Sequence, residues 1–197
     1  VTRDGVTVTG MVSDTYVLPG GVVMRPAAAT DAEALLAAYL HNREHLRPWD
    51  PRRGEDFYTV EGQHARLMGQ LAEREAGRMA LWVLTDGPRI VGVITLSGIH
   101  YGPSCSGKLG YWIDVDHAGK GLASAAVEAV ARYADEEGGL HRLEAGTLLH
   151  NVGSQRVLEK CGFEPYGVAP RYLHINGEWQ DIRLFQRILN NRPPAAT

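Results

Sequence analysis

Residues 114–134, "DVDHAGKGLASAAVEAVARYA", run a strand-like pattern through two spaced glycines into a helical one. The first turn of a helix leaves about four backbone N–H groups without partners. Ser, Thr, Asp or Asn ordinarily caps one of them. Here Gly119, Lys120 and Gly121 hold the entry instead. Either Asp116 reaches forward as the cap, or those donors are kept for something anionic. Glycine lets a backbone approach a ligand closely, and a helix N-terminus adds a partial positive charge. An anion placed there gains roughly 0.3–2 kcal/mol, and more when several N–H groups bond it. A second glycine signal, residues 102–108, matches a nucleotide-binding loop except at the last place, where Leu109 replaces Ser or Thr. That chemistry needs a hydroxyl on Mg²⁺ and a helix straight after the loop. The strand-like "LGYWIDV" follows instead, so a plain connection between strands is the better reading.

The elements that would position the first glycine turn follow from hydrophobic periodicity. Val22–Arg25 reads as a strand. Thr30 and Glu33 have the spacing of a capping box, opening a helix to about Arg43 through Leu35, Leu36, Tyr39 and Leu40. A second helix is expected over Glu61–Ala76, burying Leu67, Met68 and Leu71 and stopping at Gly77. "MALWVLT" and "RIVGVITLS" form a hairpin about Asp86-Gly87-Pro88, the second run apolar at both parities as for a strand covered on two faces. "KLGYWIDV" is the next strand, with Leu109, Tyr111, Ile113 and Val115 on one side. The helix after Gly121 buries Leu122, Ala126, Val127, Val130 and Ala134, with Glu128 and Arg132 paired on its wet face. "HRLEAGTLL" is a strand, and Asn151 caps a short helix that ends at Cys161 and Gly162. Strands near 166–174 and 180–188 close the chain about Asn176-Gly177.

The order is α/β: a mixed sandwich with helices on both faces of one central sheet. Residues 22–189 form a single domain; residues 1–21 are a flexible arm or an edge strand, and 190–197 a disordered tail by composition. At 197 residues, 44% hydrophobic, the chain can bury one sizeable core. A net charge of −3 without a basic block argues against nucleic acid. No apolar window is long enough for a membrane span, and no secretory pattern opens the sequence. Cys105 and Cys161 make neither a metal spacing nor a disulfide framework, so no metal and a cytoplasmic setting are expected.

Some thirty residues beyond the glycines comes "HNVGSQRVLEKCGFEPYG". A strand, Gly-x-Gly-x-Ala, an amphipathic helix, a strand, an Asn-x-x-Ser helix and then Gly-Phe closely resemble the GNAT superfamily of acetyl-CoA-dependent N-acetyltransferases. "NREHLRPWDP", "LGYWIDV", "HNVGS" and "EKCGFEPYG" are most similar to its ribosomal-protein branch, the RimJ/RimL type, and the resemblance spans about Val22–Ile188. It implies the GNAT fold, with a twisted, mostly antiparallel sheet. It also implies acetyl-CoA as donor and a primary amine, on a protein N-terminus or a small molecule, as acceptor. A homodimer is an expectation of the resemblance alone.

Carried over by position, the resemblance puts the coenzyme pyrophosphate on N–H groups of Gly119, Lys120, Gly121, Leu122, Ala123 and Ser124. The family's Gln or Arg before the first glycine is Ala118 here. Backbone groups of Ile113 and Val115 would pair with the pantetheine arm, and Asn151 and Ser154 would face the coenzyme. Asn151 reads equally well as a simple N-cap. Two departures concern catalysis: the acidic Tyr seven residues after the Asn is Leu158, and no Glu precedes the last turn. Ser154 is then the acid candidate. Glu144 ranks first as base, because a carboxylate in a mostly apolar strand needs a reason; its bland reading is an ion pair with Arg142. His150, His174 and His100 are further base candidates. His41 and His45, at i,i+4, read as a wet helix face and not as a metal clip. Trp49, Arg52, Arg53, Tyr172 and His174 are candidates for the acceptor pocket. The missing Tyr and Glu keep open a rival of another class, an acyl-CoA sensor or interaction module that has lost its chemistry.

Overall fold

The computed structural model describes residues 15–194. The expected arm therefore lies mostly outside the described residues, as does the end of the tail. Eight strands form one sheet: β1 (Tyr16–Val17), β2 (Val23–Pro26), β3 (Met79–Asp86), β4 (Arg89–His100), β5 (Ser106–Ile113), β6 (Arg142–Leu148), β7 (Glu164–Ile175) and β8 (Glu178–Ile188). Their spatial order is β1-β2-β3-β4-β5-β6-β8-β7, and β5/β6 is the one parallel pair among the described strands. The helices are α1 (Ala32–His41), α2 (Arg43–Leu46), α3 (Val60–Glu75), α4 (Leu122–Glu136) and α5 (Val152–Lys160). None is long and apolar enough to cross a membrane.

Alternation along β3 splits the core in two. Trp82 and Leu84 join the face covered by α4, while Leu81 and Val83 join the face covered by α1 and α3. All five apolar positions expected on α4 are buried, and Leu122, Val127 and Val130 contribute about 1.5–3 kcal/mol each. Both glycine stops hold, with Gly77 and Gly162 at φ +72.

Several local expectations give way to longer-range partners. The α1 entry is organised by Asp31, not Thr30 and Glu33. Its carboxylate accepts from the Ala28 N–H at 2.8 Å and from Arg25 at 2.6 and 2.9 Å. Burial opposes that charge, but these bonds outweigh it and hold the carboxyl below its ordinary value. Thr59 caps α3 by accepting from the Gly62 N–H. Met68 is exposed, and Glu128 pairs with Arg187 across the fold, not with Arg132. The 102–108 loop runs into β5 with no helix after it, as a connection between strands should.

Candidate functional site

β5 and β6 pair over four positions only, Ser106↔Arg142 to Leu109↔Ala145. Beyond them β5 stays on β4 as far as Ile113, and β6 stays on β8 as far as Leu148. The two strands therefore part, and the edge of β5 from Gly110 to Ile113 is open on its β6 side. A cleft of about 920 Å³ occupies the opening. It is lined by the entries of α4 and α5, by Tyr111, Ile113 and Thr147, and by Trp49 and Arg53 beyond α2.

The α4 entry has no side-chain cap. Gly119 and Gly121 are left-handed, at φ 75 and 81, a conformation costing other residues about 1–2 kcal/mol. None of the backbone N–H groups of residues 119–124 finds a hydrogen-bond partner among the described residues. Asp116 does not cap them; its carboxylate meets His41 Nε2 at 2.9 Å. Lys120 is exposed and its side chain does not line the cleft, whereas Arg156 and Lys160 do. Five of these residues, Gly119 and Gly121 to Ser124, line the cleft, and unpaired donors beside two cations suit a linked pair of phosphates.

The turn before this entry is fixed by the fully buried Asp114. Its carboxylate accepts from Asn42 Nδ2 at 2.8 Å and from the Asp116 N–H at 3.0 Å, with His117 Nδ1 at 3.1 Å. Burial pushes its pKa up, but the bonds from Asn42, His117 and the Asp116 N–H prevail and keep it below 3.8. Asn42 also takes the Val115 N–H at 2.8 Å. Val115 is consequently no part of β5: it starts a single 3-10 turn and does not line the cleft, correcting the expectation that its backbone pairs with a ligand. His41, Asp114 and Asp116 bring ligand-type atoms within 4.8 Å of one another, but Asp114 is already filled by these donors.

Asn151 caps α5 through Oδ1, which accepts from the Ser154 N–H at 3.1 Å, and it also lines the cleft. Its Nδ2 donates to no protein group among the described residues, so one side chain can serve both readings. Ser154 Oγ lies 2.9 Å from the Tyr111 hydroxyl. Burial pushes the Tyr111 phenol up to about 12, so it keeps its proton at neutral pH. Sequence reading placed Tyr111 on the right face but missed this pairing; a polar-tipped aromatic beside a serine helix was the available signal. Leu158, buried at the family's tyrosine position, lines the same cleft. Thr147 Oγ1 is buried without a partner among the described residues.

Glu144 is a correction. It pairs with Arg142 Nε at 3.0 Å and does not line the cleft, because alternation on β6 turns Ala145 and Thr147 the other way. On β7, the exposed Leu173 and the buried Ile175 line the cleft, whereas Tyr172 and His174 are exposed and absent from its lining. His100 is exposed and also absent from the lining. Trp49 both lines the cleft and packs on Leu148, Ile175 and Ile182, with His150 5.5 Å from it ring to ring. His45 and Arg66 also line the cleft, near Trp49 and Arg53, and were not among the expected pocket residues.

Comparison with known proteins identifies relatives of the chain. A family model described as "Acetyltransferase (GNAT) domain" matches residues 22–164. The probable N-acetyltransferase YjcK of Bacillus subtilis (strain 168) is 38% identical over 172 residues, 86% of this chain and 94% of that one. The [ribosomal protein uS5]-alanine N-acetyltransferase of Escherichia coli (strain K12) is 35% identical, covering 81% of this chain and 84% of its own length. Mycobacterium smegmatis RimJ, solved in complex with CoA-disulfide, superposes with a TM-score of 0.84 at 31% identity, covering 90% of this chain and 88% of its own.

Proposed function

We propose a reaction from one premise: this chain belongs to the GNAT acetyltransferase family. It transfers acetyl from acetyl-CoA to a primary amine, the favoured acceptor being the amine of a protein N-terminus. The observation that carries the donor assignment is the run of unpartnered N–H groups at residues 119–124 beside a splayed strand edge. The RimJ complex with CoA-disulfide supports it, and the uS5-alanine relative supports the acceptor.

When bound, acetyl-CoA supplies a thioester carbonyl open to attack and a thiolate leaving group. Residues 119–124 hold its phosphates, with Arg156 and Lys160 adding charge. The open edge of β5 at Ile113 takes the pantetheine amides as an added strand. A β5 N–H in that edge stabilises the oxyanion, a donor whose loss typically costs about 10²–10³ in rate. Asn151 Nδ2 is free to donate to the same arm. Ser154 gives a proton to the departing sulfur and Tyr111, neutral behind it, keeps the serine hydroxyl oriented. The Ser154 hydroxyl, steadied from β5, thus stands in for the one that Leu158 lacks. An α-amine, with pKa about 7.7–8.0, needs little help to lose its proton. His150, at the cleft rim, is the sequence-derived base candidate that lines the cleft.

The test is thiol release from acetyl-CoA over a panel of peptide and small amines, with products identified by mass. Acetyl-CoA at about 100 times its Kd should also stabilise the fold by about 2.7 kcal/mol. That is a melting shift of roughly 5–10 °C at this size. Coenzyme binding without thiol release from any amine would instead fit a sensor.

A further inference from the structure

Beside the acceptor end of the cleft lies a second pocket of about 290 Å³. Tyr39, Leu46, Asp50 and Arg53 line both, so the two adjoin. Its lining holds four arginines, Arg43, Arg47, Arg52 and Arg53, against two carboxylates, Glu44 and Asp50. The chain as a whole is acidic, at −3. The arginines are gathered here locally and are not a general surface trend.

These cations are held in place without being used up. The Arg43 guanidinium lies 4.1 Å from the Tyr58 ring centroid and that of Arg53 4.8 Å from Phe57. Stacking on a ring face leaves the N–H edge of a guanidinium available for two-point bonding to an oxyanion. Their ion pairs, Arg43–Glu55, Arg47–Glu44 and Arg53–Asp50, are all 3.3 Å contacts with exposed or half-exposed carboxylates. Pairs of that kind contribute little and yield readily to a better anion. Arg52 makes no ion pair among the described residues. It packs against Gly177 in the β7–β8 turn, where a Cβ would come within 2.6 Å of its guanidinium. The same turn is tied down by the Asn176 N–H on the Asp50 carbonyl at 3.2 Å. Arg66, in the main cleft, also has no ion pair among the described residues, and its guanidinium lies 5.5 Å from Tyr39. Packing alone accounts for the stacked faces, but it does not call for unpaired guanidinium groups at the mouth of a reaction cleft.

We propose that this pocket binds an oxyanion carried by the acceptor at a distance from its reacting amine. The acceptor is then anionic: a peptide with a carboxylate or phosphate a few residues from its N-terminus, or a phosphorylated small amine. The inference rests on the acetyl-transfer reading, because it takes the amine to lie near Ser154 while the anion reaches past Leu46 and Asp50.

The test compares matched peptides, each with a free N-terminal alanine, that differ by Glu, phosphoserine or Gln at positions 3–5. Phosphoethanolamine and ethanolamine form the small-molecule arm. Binding to the CoA-loaded protein and kcat/KM are both read. The anionic members should bind and turn over about tenfold or more better than their neutral twins, as charge-assisted bonds imply. The arm with the larger ratio identifies the source of the anion. In the double variant Arg47→Ser, Arg52→Ser the ratio should fall to about one. In the unaltered protein it should shrink as salt rises from 50 to 300 mM. Equal binding of charged and neutral twins, or a ratio that survives the double variant, overturns the proposal. If CoA binds but no amine releases thiol, the acetyl-transfer reading fails alone, and the binding ratio still decides the pocket.

Discussion

The two ends of the cleft are made of different materials. The proposed coenzyme end is main chain: unpartnered N–H groups at the α4 entry, two left-handed glycines and an open strand edge. The proposed acceptor end is side chain: Trp49 and Arg53, with Arg66 and His150 brought in from other parts of the sequence. A site of backbone donors depends on where the chain bends, and survives the loss of a side chain such as the one missing at Ala118. A site of side chains can be rewritten residue by residue without moving the frame. One fold can therefore keep a constant donor and exchange its acceptors.

The contrast can be broken first at the junction of the two ends. Ser154→Ala should lower kcat by about 10²–10⁴, the range for a general acid, while leaving coenzyme affinity nearly intact. Glu144→Gln, outside the cleft, should stay within about twofold of the parent. Comparable losses in both would show that Ser154 has no special part in the chemistry. At the main-chain end, Gly121→Val forces a β-branched residue into left-handed backbone, at a cost of about 1–3 kcal/mol. Coenzyme should then bind roughly 10- to 100-fold more weakly by calorimetry. Unchanged affinity would show that the turn is not the phosphate cradle.

The smallest effect on turnover belongs to the support beneath that turn. The folded Asp114 carboxyl ionises below its ordinary value of 3.8, so its contribution is complete above about pH 4 and is lost as pH falls through the folded value. Asp114→Asn should cost about 1.5–3 kcal/mol at neutral pH, as for hydrogen bonds to a charge. Its denaturation midpoint should also vary less than the parent's below pH 4. A parent whose stability is flat across that acid window would show that the buried carboxylate is not what holds the turn.

What the sequence disclosed follows the same division. The glycine turn, the α4 core positions and the Asn151 cap were legible because each depends on a few adjacent residues and a fixed period. Tyr111 with Ser154, and Asn42 with Asp114, were not, since each joins segments that only the sheet brings together. That Glu144, Tyr172 and His174 lie outside the cleft was not legible, because on a strand a single step in register moves a side chain to the other face. Val115 failed because a strand pattern continued past the point where Asn42 takes its N–H.

The seam of four pairs between β5 and β6 divides the sheet into two leaves, one of five strands and one of three. Whatever lies between their free ends acts as a temporary rung. Occupied protein should therefore resist amide hydrogen exchange along both leaves, well beyond the atoms touched. Releasing the spent carrier would let the leaves loosen again, tying each catalytic cycle to a breathing motion of the whole sheet.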